Sequence, residues 1–228
     1  FRDFSNLIYL YKILKHLSVD IVHLNSSKAG FVGRIACFAL QIPCVYTIHG
    51  WGFGRGRPVF QNVSSFIIEF LLSFAISRYI CVSRTDVRIA ISTLRISERK
   101  VSHIYNGVPD LNFNPFIDCV PEYDCLMLAR VHPSKDHSTL FNALALRPFT
   151  LVLAGNGTDD QEFVSLANSI LNKFSDKISF LGPRTDIPRL ISKANVVILA
   201  SIYEALPISL IEALRAGKPI VATDVGDV

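Results

Sequence analysis

The stretch NVVILASIYEALPISLIEALRAGKPIVAT, residues 195–223, decides the fold class of this chain. Its first run, NVVILAS, is rich in β-branched residues and predicts a buried strand. LPISLIEALRA then places apolar residues at helical spacing, and PIVAT predicts a second strand. A strand, a helix and a strand in this order predict a βαβ unit with parallel strands.

The same alternation of short apolar runs and helical-period stretches extends along all 228 residues. Periodicity is lost only between residues 110 and 123, where two prolines interrupt the pattern and predict a linker. We therefore predict two parallel-sheet α/β domains, an N-terminal one at residues 1–112 and a C-terminal one at residues 113–228. Ligands of such domains bind beyond the carboxyl ends of the strands, so the loops after the strands are the candidate sites.

The composition favours an ordered globular protein, because 50% of the residues are hydrophobic and 18% are charged. The net charge of +4 is mild and comes without a long basic run, so we expect no nucleic-acid partner. The five cysteines are scattered and mostly lie in apolar stretches, which predicts buried thiols in a reducing compartment. We therefore expect a cytoplasmic protein.

The apolar stretch SFIIEFLLSFAIS, residues 65–77, is short for a membrane span and contains Glu69. Two interpretations remain open. The stretch is either a core helix or a peripheral membrane contact, and the second would place the protein at the inner face of the plasma membrane.

Two glutamates flank the start of the helix predicted in residues 195–223. Glu204 precedes this helix and Glu212 lies within it, and we expect the helix to begin at Leu206 or Pro207. Proline in the first turn costs no helical hydrogen bond, and the first-turn amides can then face an anion. Because carboxylates accept hydrogen bonds from sugar hydroxyls, a nucleotide sugar suits this order of groups. The alternative is a capping acid followed by a solvated helix residue.

A basic loop, ARVHPSKD, follows the first strand predicted in the C-terminal domain. Its Arg130 and Lys135 place two cations at the carboxyl end of a strand, where they could neutralise a departing diphosphate. The alternative is a solvated surface loop.

Two further loops contain candidate residues. Gly155 begins GNG after the next strand, which predicts a strand-to-helix turn near the base or the phosphates. His49 lies in the glycine-rich loop TIHGWGFGRG after a strand of the N-terminal domain, and its role is either structural or functional.

Together, the R-x4-K and E-x7-E patterns resemble the second-domain signature of retaining nucleotide-sugar glycosyltransferases of GT-B architecture. Residues 20–53 resemble a first-domain segment of the family 4-like members that build bacterial surface polysaccharides. The resemblance covers nearly the whole chain. One departure is Ala205, where family members often have glycine, and alanine is acceptable there unless the backbone requires a positive φ.

The resemblance implies a role for each candidate. The residues matching Arg130 and Lys135 hold the diphosphate, the one matching Glu204 contacts the donor sugar, and the one matching Glu212 binds the ribose hydroxyls. The histidine matching His49 lies near the reacting carbon, on the opposing domain. The predicted catalytic set is His49, Arg130, Lys135 and Glu204, and the predicted donor-binding set is Arg130, Lys135, Gly155, Glu204, Leu206, Pro207, Ile208, Ser209 and Glu212.

The resemblance also implies the architecture and the reaction. We expect an α/β protein with two Rossmann-like parallel-sheet domains facing across a cleft, truncated at both ends, without the first βα unit and the closing helix. The reaction is transfer from a nucleoside diphosphate sugar to the hydroxyl of a glycan or lipid-linked acceptor, with no metal or cofactor. Two alternatives are a sugar-nucleotide epimerase of similar fold and a non-catalytic nucleotide-sugar-binding fragment.

Overall fold

A computed structural model describes residues 2–54, 58–75, 77–110, 120–147 and 149–228 of the chain. These residues form two compact units, the first extending to Asn106 and the second beginning at Gly107. The boundary predicted between residues 112 and 113 lies outside the described residues.

The first unit is a parallel sheet with the strand order β1-β2-β3-β4 and helices in its connections. Its strands are β1 (Val22–Leu24), β2 (Cys44–Ile48), β3 (Arg78–Cys81) and β4 (Val101–His103). Its helices are α1 (Arg2–Leu17), α2 (Ser27–Leu40), α3 (Val59–Leu72) and α4 (Arg84–Arg88), with short 3₁₀ turns at Ser73–Ala75 and Glu98–Lys100 and a π-helical turn at Ile89–Thr93.

Helix α2 lies close against the sheet because two of its residues are glycines. A Cβ atom at Gly30 would lie 2.6 Å from the Tyr46 ring, and one at Gly33 would lie 2.3 Å from the Leu24 side chain. Ser26 caps this helix, since its side chain accepts a hydrogen bond from the backbone N–H of Ala29. The sequence SSKAG therefore fixes where the helix begins.

A buried ion pair joins α2 to α3. The Arg34 guanidinium donates to Glu69 Oε2 at 2.8 Å and to the Gly30 carbonyl oxygen at 2.8 Å, and it lies over the Tyr46 ring. The side chains of Arg34 and Glu69 are only 0% and 6% exposed. Buried charges of this kind are tolerated when they are paired and hydrogen-bonded.

Helix α3 is not the core helix that one interpretation predicted, because its apolar side chains face outward and Glu69 faces inward. Glu69 is its buried residue, whereas most of its large apolar side chains are exposed. Across the described part of the chain, no helix is both long enough and apolar enough to cross a bilayer.

The second unit is a five-stranded parallel sheet with the strand order β7-β6-β5-β8-β9. Its strands are β5 (Tyr123–Leu128), β6 (Leu151–Ala154), β7 (Ile178–Phe180), β8 (Ala194–Leu199) and β9 (Ile220–Ala222). Its helices are α5 (His137–Leu146), α6 (Gln161–Leu171), α7 (Ile187–Ser192) and α8 (Ile208–Arg215), with 3₁₀ segments at Pro133–Lys135 and Asn172–Lys177.

The strand order of this second sheet creates a switch point between β5 and β8. From β5 the chain adds β6 and β7 on one side, and it then returns to add β8 and β9 on the other side. The connections after β5 and after β8 therefore diverge and leave a crevice at the carboxyl ends of these strands, which is the usual ligand site of open parallel sheets.

The predicted fold class is confirmed, with two Rossmann-like parallel-sheet units, and one helix start differs from the prediction. Helix α3 begins at Val59, with Pro58 as its N-cap, and includes the first part of the apolar stretch at residues 65–77. Helix α8 begins at Ile208 rather than at Leu206 or Pro207, so its proline is the N-cap residue and not part of the first turn.

The prediction of buried thiols is confirmed for the cysteines that the structure describes. Cys37, Cys44, Cys81 and Cys125 are buried free thiols. Cys119 lies outside the described residues.

Candidate active site

Lys135 and Glu204 meet at the switch point of the second unit. Lys135 follows β5 and Glu204 follows β8, and the Lys135 ammonium donates to Glu204 Oε1. The two loops are also joined through the backbone, where Ile202 N–H donates to the Ser134 carbonyl oxygen at 2.9 Å. The structure thus brings two of the predicted residues into direct contact across the crevice.

The loop after β5 is shaped so that Lys135 faces this contact. His132 caps the 3₁₀ turn Pro133–Lys135, because its Nδ1 accepts from Ser134 N–H at 3.2 Å. Asp136 then adopts a left-handed conformation with φ 44° and caps α5 by accepting from the Thr139 N–H. These local caps end the turn at the lysine.

The Glu204 carboxylate has a second partner that the sequence analysis did not identify. Ser201 Oγ donates to Glu204 Oε1 at 2.6 Å. A serine three residues before a glutamate is a common local hydrogen-bonding arrangement, so the S-x-x-E spacing was the available signal. The side chains of Lys135 and Glu204 are 18% and 11% exposed, which makes this a largely buried polar cluster.

The amino terminus of α8 supplies backbone donors in the same unit. Pro207 is the N-cap, and the N–H groups of Leu210 and Ile211 donate to its carbonyl oxygen. Among the described residues, none accepts a hydrogen bond from the N–H of Ile208 or Ser209. A helix amino terminus with unpaired amides and a positive dipole end favours an anion.

The later start of α8 changes one predicted donor. Leu206 precedes the helix, so its amide does not belong to the first turn, contrary to the prediction. Ala205 is not among the described non-glycine residues with positive φ, so alanine is compatible with the local backbone.

Glu212 lies within α8, and its carboxylate has no hydrogen bond to Lys135 or Glu204 in the described part of the chain. Burial raises the pKa of Glu212, while the nearby Arg215 lowers it. A partly desolvated carboxylate without a full set of donors is suited to accept hydrogen bonds from the hydroxyl groups of a ligand.

Arg130 and Gly155 lie together beside the end of β5. Gly155 has φ +150°, and a Cβ atom there would lie 2.4 Å from the Ala129 carbonyl oxygen, so only glycine fits between the loops after β5 and β6. The adjoining Val131 N–H donates to the Asn156 carbonyl oxygen at 2.8 Å. The Arg130 side chain is exposed and has no ion pair with any described residue, which leaves its charge available for a ligand.

His49 belongs to the first unit, where it directly follows β2. Desolvation and the neighbouring His23 lower the pKa of His49. His23 is itself hydrogen-bonded to Thr47, with 2.7 Å between Nε2 and Oγ1. The His49 imidazole is therefore neutral over a wider pH range than a free histidine, and the sequence analysis had not identified His23 as its neighbour.

The second unit thus contains cations, unpaired helix amides and carboxylates in the segments that follow β5 and β8. Lys135 and Arg130 can neutralise phosphate, and Glu204 and Glu212 can accept hydrogen bonds from hydroxyl groups. The Lys135 charge is engaged with Glu204, so a phosphate that binds there must compete for the ammonium or share it.

Both halves of the chain match known protein families. Residues 1–110 match the model of Glycosyltransferase Family 4, and residues 120–228 match that of Glycosyl transferases group 1.

Two curated relatives are similar along nearly the whole chain. The UDP-Gal:alpha-D-GlcNAc-diphosphoundecaprenol alpha-1,3-galactosyltransferase of Escherichia coli is 30% identical, over 98% of this chain and 62% of its own length. The N,N'-diacetylbacillosaminyl-diphospho-undecaprenol alpha-1,3-N-acetylgalactosaminyltransferase of Campylobacter jejuni is 27% identical, over 96% of this chain and 63% of its own length. The chain therefore spans slightly less than two thirds of the length of these relatives.

Solved structures show the same fold. The crystal structure of Anabaena HepE in complex with UDP and glucose matches with a TM-score of 0.79 and 23% identity, over 97% of this chain and 63% of that one. The sucrose-phosphate synthase of Thermosynechococcus elongatus matches with a TM-score of 0.77 and 20% identity, over 98% of this chain and 61% of that one. With a family 4 domain followed by a group 1 domain on the GT-B fold, the chain belongs to the glycosyltransferases.

Proposed function

We propose that the protein transfers a sugar from a nucleoside diphosphate sugar to a hydroxyl of a lipid-linked glycan, and that the nucleoside diphosphate is UDP. The observation that supports this most is the contact between Lys135 and Glu204 at the switch point of the second unit. The contact places a cation next to a carboxylate that can accept hydrogen bonds from sugar hydroxyls. A nucleotide sugar, in which the diphosphate is bonded directly to the sugar, requires these two groups side by side. The relatives named for diphosphoundecaprenol-linked sugars support the acceptor class. The resemblance of residues 20–53 to the surface-polysaccharide members supports a place in surface polysaccharide synthesis.

In this proposal the main catalytic help is electrostatic. Breaking the bond between the anomeric carbon and the diphosphate leaves an electron pair and negative charge on the diphosphate oxygen. Arg130, Lys135 and the amides of Ile208 and Ser209 stabilise that charge. The acceptor oxygen forms the new bond to the anomeric carbon and its proton leaves with the diphosphate, so no metal or cofactor is assigned a role.

The remaining predicted residues bind and orient the donor. Glu204 accepts from the sugar hydroxyls and Glu212 from the ribose hydroxyls, and Gly155 lets the chain approach the nucleotide closely. His49 stabilises the reacting sugar as a neutral imidazole. We also propose, from the family resemblance, that the configuration at the anomeric carbon is retained.

A lipid-linked acceptor requires access to a membrane surface, and α3 suits that contact. Several large apolar side chains on it are exposed, among them Phe60 at 83% and Leu71 at 62%, and its carboxylate Glu69 is buried in an ion pair. An apolar helix face without an exposed carboxylate can bury side chains in an interface that contains anionic lipid. We propose that α3 binds the cytoplasmic face of the membrane peripherally.

Product analysis tests the proposed reaction. The full-length protein would be incubated with UDP-galactose, UDP-glucose or UDP-N-acetylgalactosamine and a membrane lipid extract, and the products would be identified by mass spectrometry. We expect a polyprenyl diphosphate glycan that is heavier by one sugar. A rearranged or free sugar without an extended lipid would indicate an epimerase, and binding without turnover would indicate a non-catalytic module, so either result would contradict the proposal.

Flotation with liposomes tests the membrane contact separately. Phe60→Asp should reduce binding to vesicles that contain phosphatidylglycerol. Leu146→Asp is the matched control, because Leu146 is an equally exposed apolar residue on the second unit. Equal binding by both variants would contradict a role for α3.

A further inference from the structure

The Glu204 carboxylate is held through one of its two oxygens. Both the Lys135 ammonium and the Ser201 hydroxyl donate to Oε1. In the described part of the chain, no residue donates to the other oxygen, Oε2. The carboxylate is thus oriented by the protein's own side chains, with Oε2 left to accept a hydrogen bond.

Ser201 is buried, and its backbone is tied to two neighbouring segments of the second unit. It is 0% exposed and lies two residues beyond the end of β8. Its carbonyl oxygen accepts from Thr223 Oγ1, which ties it to the segment after β9. The next residue, Ile202, donates its N–H to the Ser134 carbonyl oxygen on the loop after β5. The hydroxyl that holds Glu204 therefore comes from a rigid part of the second unit.

A bound nucleotide sugar would affect the two hydrogen-bond partners of Glu204 differently. If Lys135 binds the diphosphate, as the proposed function requires, its attraction to Glu204 is weakened, since an ammonium shared between two anions interacts less with each. A serine hydroxyl has one proton and no charge, so the diphosphate does not draw it away. Ser201 then becomes the main anchor of the carboxylate.

We infer that Ser201 is a positioning residue that keeps Glu204 Oε1 in place while Lys135 binds the diphosphate, so that Oε2 can accept a hydrogen bond from the donor sugar. This inference rests on the proposed function. It makes Ser201 important for sugar transfer and unimportant for the affinity of the nucleotide itself.

The test compares Ser201→Ala with wild type in the full-length protein. Because a hydrogen bond to a charged group is lost, we expect kcat for transfer to fall about tenfold or more. The Kd for UDP, measured by calorimetry, should change less than about twofold, since that bond does not contact the nucleotide. Ser192→Ala is the matched control, because Ser192 is a buried serine of the same unit whose hydroxyl donates to the Arg189 carbonyl oxygen.

A second pair of variants separates the hydroxyl from packing. Ser201→Thr and Ser201→Val add the same volume, but only threonine keeps the hydroxyl, so threonine should be the more active. This pair also replaces Ser201→Ala if that variant does not fold.

Three results would overturn the inference. The first is transfer by Ser201→Ala within about twofold of wild type, and the second is equal transfer by the threonine and valine variants. The third is a loss of UDP affinity that parallels the loss of kcat, which would indicate a structural role. A wild-type protein that neither binds UDP nor transfers sugar would instead overturn the proposed function, and this inference with it.

Discussion

Replacing Lys135 with alanine removes the cation at the switch point of the second unit. This cation is paired with Glu204, and the two side chains are only 18% and 11% exposed, so solvent screens the pair weakly. In the reaction the ammonium would donate to the departing diphosphate. In the proposed mechanism, Lys135→Ala therefore removes one charge-assisted hydrogen bond from the transition state and also loosens the Glu204 carboxylate.

The expected size follows from the strength of such a bond. A hydrogen bond to a charged group contributes about 1.5 to 3 kcal/mol. Since each 1.36 kcal/mol corresponds to about a tenfold change in rate, kcat/KM should fall by roughly 10-fold to 150-fold. Looser placement of Glu204 would add to that loss.

The assay measures the initial rate of transfer with saturating lipid acceptor and varied UDP-sugar. Lys193→Ala is the control, because Lys193 is also an ion-paired lysine of the second unit, with Glu122 as its partner at 2.6 Å. This control should transfer sugar at nearly the wild-type rate. The reasoning is refuted if Lys135→Ala also stays within about threefold of wild type.

Three further perturbations test other parts of the structure. Glu69→Ala leaves the buried Arg34 guanidinium without its carboxylate, so chemical denaturation should show that the free energy of unfolding falls by about 3 to 5 kcal/mol. The control Gln61→Ala, on the exposed side of the same helix, should leave the free energy of unfolding nearly unchanged. Equal stability of the two variants would contradict the structural importance of the pair. Because the pKa of His49 is lowered from 6.5, kcat/KM should fall only below pH 6.5, where the imidazole becomes charged. His49→Gln should abolish this fall of kcat/KM at acid pH. If the fall is unchanged in the variant, His49 is not its source. Gly226→Ala would place a Cβ atom 2.2 Å from the Glu204 carbonyl oxygen, whereas Gly217→Ala, with nearly the same φ, meets open space. Transfer should therefore be lost in the first and largely kept in the second, and equal activity would show that the close approach is unimportant.

The fold was predictable because its signals are local. The spacing of apolar residues and the flanking turn residues mark segments such as YDCLMLA as strands and HSTLFNALAL as helices, and the structure has β5 at Tyr123–Leu128 and α5 at His137–Leu146. The start of α8 was missed by one or two residues because proline is compatible with both the N-cap and the first turn. The inward-facing Glu69 could not be predicted, because its partner Arg34 lies 35 residues away in sequence.

The contacts within the candidate site could not be predicted from the sequence. The positions of Lys135 and Glu204 after strands indicated one edge of a sheet, but only the strand order makes their loops neighbours at a switch point. That order depends on long-range packing, which leaves no local sequence pattern. The position of Ser201 in S-x-x-E was visible in the sequence, but its burial against Glu204 was not.

A crystal structure of the full-length protein with UDP bound tests the central claim most directly. We predict that the diphosphate oxygens lie within about 3 Å of Lys135 Nζ and of the backbone nitrogens of Ile208 and Ser209, at the carboxyl ends of β5 and β8. A nucleotide bound with its diphosphate away from that crevice would contradict the account.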